Sequence, residues 1–176
     1  MKRVLVLAAL GLIVPILQGA LAPYLPRGAC PDFGLLLVIA LGVAVRSTAA
    51  GLALAAWLGF VSDLLSGALL GQHALLRVLA FGVARTTGSH VNLQGPFTQM
   101  GLAAGLTLAS ALGLFALSAF FDASAVAVFP LRELLWHAGV NALVAPLVVG
   151  AAVRMLARLE DDGRRPLRLE PRSFSA

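Results

Sequence analysis

Long apolar runs, broken by short polar or proline- and glycine-containing stretches, divide the chain into six segments. The first covers about Val4–Ala22 and carries Pro15, which a bilayer helix tolerates. Pro23, Pro26 and Gly28 turn the chain, and Pro31-Asp32 opens the second run, Phe33–Val45. Proline suits a first helical position, and an acid there complements the helix dipole. At 13 residues this run spans roughly 20 Å, short of a bilayer core of about 30 Å. It is a short helix, or one that locally thins the membrane, or one extended by a snorkelling Arg46. The third run is about Ser47–Ser66, followed by a tight turn from Gly67 to Gly71. The fourth covers about Gln72–Val83 and ends at Arg85, with a polar linker over Thr86–Pro96. The fifth is about Phe97–Phe121, linked through Asp122 to Pro130. The sixth runs about Leu131–Leu156 with Pro146 inside it.

Two of these runs carry small residues at every fourth position. In the third they are Gly51, Ala55 and Gly59, then Asp63, then Gly67, with Gly71 closing the turn. In the fifth they are Gly101, Gly105, Ala109 and Gly113. Residues four apart stack on one helix face, and a small-residue ridge lets a second backbone come close inside lipid. Asp63 interrupts the first ridge at a cost of about 2.5–3.5 kcal/mol for an acid at the centre of a span. These ridges predict a seam for helix packing or for a partner's helix.

Composition fits this picture. The chain has 176 residues, 60% of them hydrophobic and 12% charged, about half the charge of a soluble domain. The expectation is an all-α polytopic membrane protein: a six-helix transmembrane domain over residues 1–158 and a charged cytoplasmic tail over residues 159–176. Six spans with both termini in the cytoplasm place ten of the thirteen basic residues inside and two, Arg27 and Arg132, outside, with Arg77 in a span. Five spans would put the Arg-rich tail outside, against that rule. Lys2-Arg3 and the following apolar run imitate a signal peptide. However, the run is long enough to span, and Pro23 would follow the cleavage point, so the first helix is expected to be retained. Cys30 is a lone thiol and excludes an internal disulfide. No stretch interleaves basic and aromatic residues, so nucleic acid is not expected; the Arg-rich tail reads first as a topology signal and second as a contact for anionic membrane lipid or a cytoplasmic partner.

Six polar residues fall within the apolar runs. Asp63 sits shortly before the Gly67–Gly71 turn and Arg77 shortly after it, with His73 four positions before Arg77. Glu133, His137 and Asn141 form a second stripe at spacing four. The expectation is one polar layer, in which Asp63 and Arg77 pair across the hairpin or each pairs within the layer. Its role is either hydrogen-bonding glue between helices or a site for a ligand or ion. Asp63, His73, Glu133 and His137 lack a diagnostic metal spacing, so no metal or cofactor is expected. No phosphate loop, paired-cysteine motif or nucleophile elbow is present, so no catalytic residues are assigned. A membrane-embedded hydrolase using His137 and Asp63 is the least supported alternative.

The order of features resembles the rod shape-determining MreD family. The resemblance rests on Pro31-Asp32 before Phe33-Gly34-Leu35-Leu36-Leu37, then on Gly59 through Gly71 with its late Asp63, then on Ala74, Leu75 and Asn141. It implies a non-enzymatic, multi-pass protein of the bacterial inner membrane acting in cell shape and peptidoglycan synthesis. Its implied partners are a bitopic MreC-like protein and, with it, RodA, a class B penicillin-binding protein and MreB. It also implies a fold similar to the substrate-binding subunits of energy-coupling-factor vitamin transporters, which makes such a subunit the alternative function. The expected docking seam is the ridge on helix three or helix five, so that Gly59→Leu would lose the partner without preventing insertion.

Overall fold

The computed structural model describes residues 2–26, 28–67, 69–90, 95–121 and 130–162. Among these the chain is all-helical. The helices are α1 (Lys2–Leu21, followed by a 3-10 turn over Ala22–Tyr24), α2 (Phe33–Ala44), α3 (Thr48–Ser66), α4 (Gln72–His90), α5 (Pro96–Phe121) and α6 (Leu131–Asp162). Three stretches are long and apolar enough to cross a membrane: Thr48–Ser66, Pro96–Phe121 and Leu131–Arg158. Two shorter apolar stretches are Ala8–Tyr24 and Phe33–Ala44.

Two elements run past their expected ends. α4 continues through the expected linker to His90, and α6 continues to Asp162, beyond the expected start of the tail at 159. Gly82 inside α4 and Pro146 inside α6 break neither helix. Residues 91–94 of the linker expected at 86–96, residues 122–129 of the next, and the tail from 163 lie outside the described residues, as do Arg27 and Ala68.

The short helix α2 is the axis of the bundle. It touches all five other helices, and every residue from Gly34 to Gly42 is buried. That burial explains its length. Irregular backbone at membrane depth is tolerated where its polar groups are satisfied, and α2 is satisfied at its start by a side chain of its own segment and at its end by one from α4. At its start the Asp32 carboxylate accepts from Leu35 N–H at 2.9 Å, a helix cap. At its end the chain turns extended at Val45, and Arg85 of α4 donates to the carbonyls of Val45 at 2.6 Å and Arg46 at 2.9 Å. α2 is therefore short because protein surrounds it, and Arg46 contributes a backbone acceptor at its end.

α3 and α4 form a close hairpin. Ser47 caps α3 at Ala50 N–H, and Gly67, with φ of 65°, ends it in the left-handed region that glycine reaches without strain. The small ridge faces α4. A methyl added at Gly59 would overlap the backbone of His73 and Ala74, and one added at Gly51 would overlap the Phe81 ring. Ala55 between them is fully buried. α1 lies on the other side of α3, where Trp57 Nε1 donates to Ala8 C=O at 3.2 Å and its ring covers Gly11. α5 packs chiefly on α6, and Leu76 of α4 fills the space over Gly113.

Candidate functional site

Two aspartates organise one end of the bundle, and each sits at a helix N-terminus. Such a position supplies free N–H groups and about half a positive charge. Asp32 caps α2 from within its own segment. Asp63 caps α4 from α3, across the turn. Its Oδ2 accepts from the N–H groups of Gly71 (2.9 Å) and Ala74 (3.2 Å), and its Oδ1 accepts from His73 N–H (2.8 Å) and lies 2.9 Å from His73 Nδ1. Four donors saturate a carboxylate that is 1% exposed. Gly71, with φ of 99°, turns its own N–H into this cap.

Arg77 therefore does not pair with Asp63. The α4 amides already occupy that carboxylate, and Arg77, about a turn deeper, reaches Asp32 instead. Its Nη2 donates to both Asp32 oxygens, each at 2.7 Å. The Arg77 and Asp32 side chains are 7% and 20% exposed, so this is a desolvated ion pair. It ties α4 to the start of α2.

Asn141, fully buried on α6, ties in two more helices. Its Oδ1 accepts from Asp32 N–H at 2.7 Å, and its Nδ2 donates to Thr107 Oγ1 of α5 at 2.9 Å. The Thr107 hydroxyl in turn donates to Ala103 C=O at 2.7 Å. His137, one turn before Asn141, lies with Nδ1 3.3 Å from Gly28 C=O and Nε2 3.4 Å from Asn141 Nδ2. A single neutral tautomer, with the proton on Nδ1, satisfies both contacts. The start of α2 is thus held by α4 through Arg77 and by α6 through Asn141. The start of α4 is held by α3 through Asp63.

Family models, curated proteins and solved structures offer no match to this chain.

Of the six polar residues read from the sequence, five fall in this cluster. Asp63 and His73 form one part; Arg77, His137 and Asn141 form the other, around Asp32. Glu133 does not join them. It is exposed in the first turn of α6, one turn before His137. Among the described residues no three of His, Cys, Asp and Glu come together as a metal site. The small residues divide by role. Gly51, Ala55 and Gly59 pack against α4, while Gly67 and Gly71 shape the turn. Gly113 meets Leu76, whereas Gly101 and Gly105 are exposed, with nothing within 4 Å of an added Cβ.

Three participants were hidden from sequence reading. Asp32 was visible as a helix cap but not as the partner of Arg77, 45 residues away. Thr107 and Arg85 lie in runs whose spacing carries no signal for them. Cys30 sits beside Asp32 in the loop before α2, with Sγ 3.9 Å from Gln18 C=O. Burial, and secondarily the Asp32 charge, raise its thiol above the ordinary range.

Proposed function

We propose that this chain is a non-enzymatic scaffold of the MreD type, a six-span protein of the bacterial inner membrane with both ends in the cytoplasm. In this reading it receives the single helix of an MreC-like partner and joins the cell-wall elongation machinery. The residues that carry the sequence resemblance support it. Of these, Asp32, Gly59, Asp63, Gly71, Ala74 and Asn141 lock α2, α3, α4 and α6 together. A motif that builds one rigid body is what a scaffold requires. The polar cluster, with its carboxylates capped or paired, serves that rigidity.

The docking seam belongs on α5. The α3 ridge is occupied by the chain's own α4, so it has no room for a partner. By contrast, Gly101, Gly105 and Ala109 line up, exposed, on the outer face of α5. This open small-residue face carries the proposal, because backbone approach is what favours helix association in lipid. The test is co-purification of an MreC-like partner from native membranes with wild type and Gly105→Leu. Loss of the partner, with an unchanged unfolding midpoint, is expected. Wild-type recovery of the partner with Gly105→Leu would remove α5 as the seam.

A further inference from the structure

A groove of about 370 Å³ opens between the end of α2, the start of α5 and the second half of α6. Its walls are largely apolar, with Val43 of α2 and Pro146, Val149 and Val153 of α6 lining it. Val149 is 1% exposed and lies at its base, whereas Val43 is 37% exposed at its rim. The volume is at the small end of ligand sites, which run about 300–1,000 Å³.

The informative residue is Arg154, which lines the same groove. Its Nε donates to Gly150 C=O at 3.0 Å, so the side chain folds back along α6. Gly150 also lines the groove, and a Cβ placed there would have Arg154 Nη2, at 3.9 Å, as its nearest neighbour. The guanidinium thus lies over the glycine step in the groove wall. With Nε engaged, Nη1 and Nη2 make no hydrogen bond or ion pair among the described residues. These two nitrogens form the end of the planar fork, where one N–H from each points the same way and matches two oxygens of one phosphate.

The surroundings add to that positive charge. Arg158 follows one turn later on α6, and Arg85 is held at the end of α2, the end that Val43 belongs to. The first turn of α5, at Pro96, brings about half a positive charge to the groove. The carboxylate of Asp32 belongs to the opposite end of α2, about 17 Å from Val43 at 1.5 Å per residue. Glu160, Asp161 and Asp162 begin about 9 Å beyond Arg154 along α6, past the apolar span that ends at Arg158. The chain's own tail is a poor occupant, since beyond Gly163 it carries four arginines and one glutamate and is repelled by Arg154. An apolar trough with an unpaired cation over its wall, in a chain built to span a bilayer, matches an amphipathic anion. We infer that this groove binds one glycerophospholipid, with its phosphodiester on the Nη1–Nη2 edge of Arg154 and the start of an acyl chain against Val43, Val149 and Val153. The proposed topology puts this end of the bundle at the cytoplasmic face, so the lipid belongs to the inner leaflet. The inference rests on the membrane reading and not on the α5 docking seam, and either can fail alone.

The test is native mass spectrometry of the full chain in mild detergent, with three probes. These are phosphatidylglycerol, a diacylglycerol of the same chains that lacks the phosphodiester, and free glycerol phosphate that lacks the chains. Three variants address the site. Arg154→Gln removes the charge at an exposed position. Gly150→Leu fills the groove beneath the guanidinium, where an added Cβ makes only an ordinary contact. Arg158→Gln removes an equal charge one turn away, at a residue that does not line the groove. The expected result is one-to-one binding of phosphatidylglycerol, weakened at least tenfold by Arg154→Gln and by Gly150→Leu and less than twofold by Arg158→Gln. Equal losses in the two arginine variants would overturn the site and leave only a positive surface. Diacylglycerol binding as tightly as phosphatidylglycerol would overturn the phosphodiester contact, and free glycerol phosphate binding as tightly would overturn the lipid. If Gly150→Leu lowers the unfolding midpoint, the comparison of Arg154→Gln with Arg158→Gln decides.

Discussion

Arg77 Nη2 contacts both carboxylate oxygens of Asp32 at 2.7 Å, joining residues 45 positions apart inside an apolar bundle. Breaking one side of a desolvated ion pair is costly, about 3–5 kcal/mol, because the other charge is left uncompensated. Asp32→Asn isolates that term. Asparagine still offers an oxygen to Leu35 N–H, so the α2 cap survives while the charge is lost. Asp32→Asn is expected to destabilise by about 3 kcal/mol, and Arg77→Leu by a similar amount. The double variant should cost less than the sum of the two. Denaturant titration in detergent micelles reads all three, and strictly additive costs would mean that the two charges do not act as a unit.

Asp63 makes a different prediction, because its partners are backbone amides. Asp63→Asn leaves one acceptor oxygen where two had served four contacts, and turns an NH2 toward N–H groups. Orphaned buried donors cost about 1–3 kcal/mol. The effect is local to the start of α4. Hydrogen exchange at Gly71, His73 and Ala74 should accelerate in Asp63→Asn, with α5 and α6 unaffected. His73→Phe removes only the side-chain contact and should leave the Gly71 and Ala74 amides protected. Equal exchange in both variants would show that the Asp63 cap does not hold this turn.

How much of this was legible in the sequence follows from what each feature depends on. The six helices are written in apolar runs and in local breaks such as Pro31-Asp32 and Gly67. Their ends at His90 and Asp162 are not, because polar residues can continue a helix once it has left the apolar layer. The Gly59 ridge was visible as small residues at spacing four, but spacing cannot say which helix fills it. The answer, Ala74, depends on how tightly the Gly67–Gly71 turn folds α4 back. Asp63 and Arg77 look like partners by depth. The turn points the α4 amides at Asp63 first, and backbone donors leave no trace in residue identity. α2 looked too short to span because its length was measured against lipid, whereas its surroundings are protein.

The two glycine faces separate packing from docking. At Gly59 even alanine forces its methyl into the Ala74 backbone, so Gly59→Ala should prise α3 from α4 and lower stability by about 1–3 kcal/mol, as overpacking does. Gly59→Leu should then fail to accumulate as folded protein, in contrast to the expectation that it inserts normally. Gly105→Leu should leave the unfolding midpoint within error, since the added side chain meets open space. If Gly59→Ala is as stable as wild type, the α3–α4 hairpin is looser than the geometry described.

Cys30 tests the proposed topology with the chain's only thiol. Its pKa is raised, by burial first and by the Asp32 charge second. A raised pKa favours the neutral thiol, so the thiolate fraction at neutral pH falls below that of a free cysteine, whose pKa is about 8.5. Because the thiolate is the reacting species, the labelling rate by a charged maleimide should climb about tenfold per pH unit and keep climbing past pH 8.5. A free cysteine would level off there. The same reagent reads sidedness. With a cytoplasmic N-terminus and α1 as the first span, the loop before α2 faces outward, and intact cells should label at alkaline pH without permeabilisation. Labelling that requires permeabilisation would put this loop inside and invert the six-span arrangement. The polar cluster would survive that result, because Asp32, Arg77 and Asn141 hold one another whichever side of the membrane they face.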